Sequence, residues 1–155
     1  MSDINIVWGN AVWTFLHVFA DKINPDAYRN NVSSVLLLII KICSNLPCPT
    51  CSIHAAHFLN SVTEDSIKNT DLLKKMLHVF HNQVNQRTDK QQYSIDILNK
   101  YKTVTITTAL LNFKKYYAEQ YGSGVEFGFG TNDKLRIRIT NNTIGWMRNN
   151  WGLFR

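Results

Sequence analysis

Through most of the first 121 residues, apolar side chains recur at spacings of three and four, and that periodicity predicts helices. A first helix is expected over residues 9–22, stopped by Asn24-Pro25. A second, over residues 28–44, holds the apolar run Val35 to Ile40 and is apolar on more than one face, as an inner helix of a bundle would be. A third begins at the Pro47 to Pro49 turn and continues through Phe58 to Val62. A fourth, over residues 70–87 with Thr70 as N-cap, aligns Leu72, Leu73, Met76, Leu77, Phe80 and Val84 on one side. It leaves His78, His81, Asn82 and Asn85 as a polar stripe. A fifth is expected over residues 94–121, weakened by the β-branched stretch from Thr103 to Thr108. Beyond Gly122 the pattern changes. Leu135, Ile137 and Ile139 alternate with Arg136 and Arg138, which predicts a short strand or hairpin. The expected architecture is therefore all-α, a four- to five-helix bundle over residues 1–121 with a C-terminal extension, 122–155, packed on it.

Length and charge narrow the picture. A chain of 155 residues can bury a sizeable core as one domain without needing a disulfide or a metal to fold. No apolar segment reaches the roughly 18 residues that a membrane span requires, and the first ten residues lack an export signal's basic start and apolar core. The expectation is a soluble, cytoplasmic protein with no membrane partner, a setting in which a close cysteine pair is read as catalytic or metal-binding. The net charge of +6 is uneven: from Glu126 onward Lys134, Arg136, Arg138, Arg148 and Arg155 face only Glu126 and Asp133. Without a recognised binding motif this reads as a solvated basic face, and nucleic acid is not an expected partner. A non-enzymatic basic interaction or virion module is the alternative from another class.

The chemistry concentrates at Cys48-Pro49-Thr50-Cys51. Thiol–disulfide exchange needs two sulfurs able to close a small ring and a thiolate that forms easily, and a CxxC at a helix N-terminus supplies both. A thioredoxin-like fold would require alternating strands and helices, which the flanking patterns lack. Zinc is suggested by Cys48, Cys51, His54 and His57, but on one helix Cys48 and His57 stand roughly 13 Å apart, too far to share an ion. A zinc-stabilised helical protein would need ligands from elsewhere, and no metal is expected. Ser52 stands where c-type haem attachment needs histidine. Cys43, inside the apolar second helix, reads as a core residue. Trp13 and His17 share one helical face behind Trp8-Gly9, a pattern that also fits core packing.

Taken together, Trp8-Gly9-x-x-x-Trp13-x-x-Leu16-His17, Cys48-x-x-Cys51 and His81-Asn82-x-Val84-Asn85, with Lys90 beyond, resemble the Erv/ALR-type FAD-linked sulfhydryl oxidases over residues 8–93. Cys51-Ser52-Ile53-His54 and the compact length look most like the branch carried by large cytoplasmic DNA viruses, which implies host cytoplasm or virion as the location. The resemblance implies a bundle that binds FAD, oxidises thiols of client proteins and passes the electrons to molecular oxygen, yielding hydrogen peroxide. It assigns Cys48 to the incoming dithiol and Cys51 to the flavin. Trp8, Gly9, Trp13 and His17 become cofactor-binding, as do His54, His81, Asn82, Val84, Asn85 and Lys90; His57, His78 and Tyr93 are weaker candidates. A homodimer through the first two helices is also implied. Three departures stand out: the additional cysteine pair that relatives use as a shuttle is missing, Ser94 replaces a structural cysteine, and Asp89 replaces a glycine before the lysine. The missing shuttle implies a small redox partner with its own CxxC. Trp146 and Trp151, in the extension, are expected to pack rather than cover a flavin.

Overall fold

The structure, a computed structural model, describes residues 3–119 and 130–154. Among them the secondary structure is helical, and β pairing is limited to one antiparallel bridge between Ile23 and Phe154. The axis of the bundle is α1 (Asp3–Lys22), which runs on both sides of Gly9 rather than starting there. Trp8, Ala11, Val12, Phe15, Leu16, Val18, Phe19 and Ala20 are all buried, covering most of the helix circumference. The inner helix is thus the first and not the second.

The predicted second helix is split. Asn24 accepts hydrogen bonds from the Asp26 and Ala27 amides (2.9 and 3.2 Å) and, with Pro25 at the first position, starts a single turn, α2 (Pro25–Tyr28). Tyr28 is fully buried and its hydroxyl donates to the Ile67 carbonyl at 2.6 Å, which pins the turn before the chain restarts as α3 (Val32–Cys43). α3 packs on α4 (Pro49–Leu59) and on the C-terminal helix described below, leaving Ser33, Leu37 and Lys41 as its exposed stripe. Its apolar excess is taken up largely within the chain.

α5 (Thr70–Arg87) has the predicted span, but Asn69 is the cap, accepting from the Leu72 amide at 2.9 Å, while Thr70 is buried. α5 ends in a Schellman motif: the Lys90 amide donates to the Asn85 carbonyl (2.7 Å) and the Asp89 amide to the Gln86 carbonyl (3.3 Å). Asp89 sits at φ 58°, the left-handed conformation that this motif demands and glycine meets without strain. Asp89→Gly is therefore expected to raise stability by about 0.5–1 kcal/mol, read as a higher urea midpoint with unchanged slope. A lower midpoint would mean that the carboxylate makes a compensating interaction.

The predicted fifth helix breaks where its β-branched residues cluster. Residues Ile95–Thr103 form 3-10 turns, Thr105 caps a new start by accepting from the Thr108 amide (3.1 Å), and α6 (Ile106–Phe113) follows, widening into a π-helical segment, Lys114–Glu119. Phe15, Phe113 and Tyr117 stack in series, with centroids 4.6 and 4.7 Å apart, and fix α6 against α1.

The strand expected around residues 135–139 is instead part of a helix, α7 (Gly130–Asn149). Its buried side chains are Asp133, Arg136, Ile139, Thr140, Thr143 and Met147, a three-to-four spacing, while Leu135 and Ile137 face outward. The alternation was misleading because it ignored the arginine at the centre of the buried stripe. The glycine-rich stretch from Gly122 to Phe129 lies outside the described residues. α7 packs on α3 and the π segment, and the chain then returns to α1, where Phe19 meets Trp146 (6.0 Å) and Phe154 (5.1 Å). No described helix is long and apolar enough to cross a membrane.

Candidate active site

Cys48 and Cys51 are joined as a disulfide, with Cα atoms 5.2 Å apart. Local sequence explains their placement. Cys48 has extended backbone and caps α4, Pro49 occupies the first helical position, and the Cys51 amide donates to Cys48 Sγ at 3.2 Å. The α4 N-terminus thus directs an N–H and the positive end of the helix dipole at a sulfur, which favours negative charge there once the disulfide opens. Ser52 ties the approach to this helix: its Oγ accepts from the Leu46 amide at 2.8 Å and donates to the Cys48 carbonyl at 3.2 Å.

Both sulfur-bearing residues line a cavity of about 560 Å³ between α1, the α4 start, α5 and the residues that follow α5. Its size lies in the range of small-molecule and cofactor sites. Trp13 stacks on His81 with centroids 4.1 Å apart and planes 6° from parallel, and His17 stacks on Tyr101 at 4.6 Å. His17 Nε2 and His81 Nδ1 are 3.0 Å apart, so one imidazole donates its N–H to the other's lone pair. Burial lowers His17 to a pKa of about 3, aided by His81, Lys100 and His78; burial likewise lowers His81 to about 4, aided by Lys100, His78 and Lys90. The pair is uncharged at neutral pH.

That shift carries a pH dependence. Both histidines titrate lower in the folded chain than in the unfolded one, so stability is complete above about pH 6.5 and is lost as pH falls toward the folded values. The expected loss is at most about 1.4 kcal/mol per pH unit for each histidine, less for the half-buried His81. Urea midpoints measured from pH 7.5 to 5 should fall, and the His17→Asn/His81→Asn double variant should flatten the slope. An equal slope in that variant would assign the effect elsewhere.

The cavity gathers Trp8, Gly9, Trp13, His17, His81, Asn82, Val84, Asn85 and Lys90, together with His78 and Tyr93. It does not gather His54 or His57, which lie exposed on α4. Trp146 and Trp151 are not among its lining residues either. Asn82 uses its amide on the protein itself: Oδ1 accepts from the Tyr93 amide at 3.0 Å and Nδ2 donates to the Tyr93 carbonyl at 2.8 Å, to which His78 Nε2 also lies at 2.8 Å. This grip holds the segment after α5 against the cavity. Cys43 also lines the cavity, but its thiol is buried and pushed up to about 12, an unreactive state at neutral pH. Among the described residues, no three His, Cys, Asp or Glu side chains gather as a metal site.

Among the lining residues that the sequence did not single out are Arg87, Lys100 and Tyr101. Arg87 was within reach, three residues after Val84 on the same helix face. Lys100 and Tyr101 lie in the 3-10 segment, where α-helical spacing gives the wrong neighbours. With Lys90, the lining holds three cations and no Asp or Glu.

These features define a class: a helical-bundle protein whose CxxC disulfide opens on a cofactor-sized cavity walled by tryptophan, paired neutral histidines and cations. The Erv1/Alr family model matches residues 10–105, and the chain belongs to that family. Relatives named "Probable FAD-linked sulfhydryl oxidase" occur in vaccinia virus (strain Copenhagen) and monkeypox virus, each 27% identical over 90 residues, 58% of this chain and 88% of the relative. The variola virus relative is 26% identical over the same coverage. No solved structure matches the chain.

Proposed function

We propose that this chain is an FAD-linked sulfhydryl oxidase that forms disulfides in thiol-bearing proteins. The observation that carries the reading is the Cys48–Cys51 disulfide opening into the cavity that Trp13, His17 and His81 wall. The donor set suits FAD. Trp8, Trp13, His17 and His81 would hold its ring system, and Arg87, Lys90 and Lys100 its diphosphate. Gly9 supports the fit: alanine would be favoured inside a helix by about 0.5–1 kcal/mol, yet no neighbouring atom fills the space a methyl would take, and that space borders the cavity.

The chain's own part in the reaction follows from its sulfurs. A client thiolate attacks Cys48 Sγ, the Cys48–Cys51 bond breaks, and Cys51 Sγ takes the electron pair as a thiolate. The client's second thiolate then attacks its own sulfur in the mixed disulfide and releases Cys48, so the client gains a disulfide and this chain holds the dithiol. FAD held there would supply a two-electron acceptor for the Cys48–Cys51 dithiol, with oxygen as the terminal oxidant and hydrogen peroxide as the product. The neutral His17–His81 pair would offer N–H donors and lone pairs to a bound ring system without adding charge to it. Cys43 is the one cysteine outside the pair and is buried, so Cys48 receives clients or a small CxxC partner directly.

Residues 1–121 carry this activity in our reading and 122–155 extend it, in keeping with a family match that ends at residue 105. Similarity to poxvirus proteins supports a place in host cytoplasm or virion. The absorption spectrum of the purified chain tests the proposal: a yellow protein whose released chromophore is FAD is expected. A colourless preparation that FAD cannot reconstitute overturns it.

A further inference from the structure

We propose that residues 90–94 are a strap closing the cofactor cavity and that Asn82 is its fastener, a positioning residue that sets how long FAD stays by holding Tyr93 rather than the cofactor. This rests on the oxidase reading, in which the cavity takes FAD. Lys90, Gln91 and Tyr93 line the cavity and are also exposed, so the strap is one chain thick between the cavity and solvent. Its attachment is sparse. At the front the Lys90 amide is tied to the Asn85 carbonyl (2.7 Å), and at the rear the Ser94 carbonyl accepts from the Ile97 amide (3.1 Å). Between those ends Gln91 and Gln92 make no hydrogen bond among the described residues, and the hydrogen bonds run through the Tyr93 backbone.

Asn82 takes both ends of that residue. Its Oδ1 accepts from the Tyr93 amide (3.0 Å) and its Nδ2 donates to the Tyr93 carbonyl (2.8 Å), the two-point exchange by which paired β residues hold each other. His78, one turn earlier on α5, donates from Nε2 to the same carbonyl (2.8 Å). The amide's oxygen and nitrogen are thus both committed to the strap, although Asn82 lines the cavity. α5 itself is held to α1 by the Trp13–His81 stack and the His17–His81 contact, so the fastening joins the strap to a packed wall. Without it the strap is tied only at its ends, opens more often, and must be reordered over the cofactor at a cost in conformational entropy.

The test takes two readings on the full-length flavin-loaded protein: the rate at which FAD leaves on dilution, followed as released flavin fluorescence, and backbone hydrogen exchange by mass spectrometry in peptides covering residues 88–98. Asn82→Ala should speed release about 10- to 100-fold, a factor of up to about ten for each hydrogen bond lost. It should also speed exchange in the strap while α1 and the rest of α5 exchange at the wild-type rate. Asn82→Asp can still accept from the Tyr93 amide but cannot donate to its carbonyl, so it should fall between. Tyr93→Pro removes the amide from the other side, and in that background Asn82→Ala should speed release by less than it does alone, because both changes act on one fastening. An undiminished effect there, or faster release with strap exchange unchanged, would make Asn82 a direct cofactor contact and overturn the proposal. Faster strap exchange with wild-type release overturns the closure, and faster exchange throughout the chain in both Asn82 variants would make the residue a support of the fold. The same exchange difference is expected in the apoprotein. A chain that shows it but takes up no FAD therefore fails at the oxidase reading, whereas a chain that binds FAD with strap exchange unchanged in Asn82→Ala fails at the fastener.

Discussion

Replacing Cys51 with serine is expected to abolish thiol-dependent oxygen consumption, a loss on the order of 1,000-fold or more, while FAD stays bound. The size follows from the pair acting as a unit: without either sulfur no disulfide forms, and losing one member costs about as much as losing both. Cys48→Ser should show the same turnover loss. The two variants differ in what they trap. Cys51→Ser leaves Cys48 at the helix cap with the residue-51 amide still directed at its sulfur, so it should accumulate a mixed disulfide with an activated thiol probe. Cys48→Ser leaves the remaining sulfur one turn inside α4 and should trap client poorly. Non-reducing electrophoresis after incubation with a dithionitropyridine-activated peptide reads the difference. Equal trapping by both variants would remove the assignment of Cys48 to the client side, and retained turnover in Cys51→Ser would remove the exchange mechanism.

Much of this site was legible because its signals are local. A CxxC preceded and interrupted by proline specifies a helix start, and the structure has Cys48 as the cap. Trp13 and His17 share a face by helical spacing, as do His78, His81, Asn82 and Asn85, and all of them reach the one cavity. Long-range detail was not legible. That His17 meets His81, 64 residues away, depends on how α1 crosses α5. The grip of Asn82 on Tyr93 likewise depends on where the chain goes after the left-handed turn at Asp89. His54 shows the limit of motif transfer: its position in the motif suggested the cofactor, while the helix period turns it to solvent.

The fold failed to be legible at the places where local preference and packing disagree. Tyr28 belongs by pattern to the second helix, but its hydrogen bond to the Ile67 carbonyl sets it in a separate turn. Thr103 to Thr108 weakened the fifth helix correctly, yet where the break falls is set by the Thr105 cap. In α7, treating arginine as a surface residue hid the helical spacing of the buried stripe that Arg136 shares with Ile139.

Arg136 therefore supplies the second large prediction. It is fully buried, its guanidinium pairs with Asp133 one turn earlier on α7, and its Nε donates to the Tyr117 carbonyl at 3.2 Å. Burial in this way removes one basic residue from what the sequence presents as a solvated basic face. It also makes the C-terminal helix depend on a charge pair, because Arg136→Met would leave the Asp133 carboxylate buried without that partner and the Tyr117 carbonyl without that donor. Breaking a buried pair from one side costs about 3–5 kcal/mol, a large share of the 5–15 kcal/mol that holds a domain together. Removing both charges is far cheaper, because the desolvation penalty of the pair disappears with its attraction. Asp133→Leu combined with Arg136→Met should thus recover most of the urea midpoint that Arg136→Met loses. If the single variant unfolds no earlier than wild type, the pair does not hold α7 in place. If the double variant is as unstable as the single one, the guanidinium acts through the Tyr117 carbonyl and the π segment rather than through Asp133.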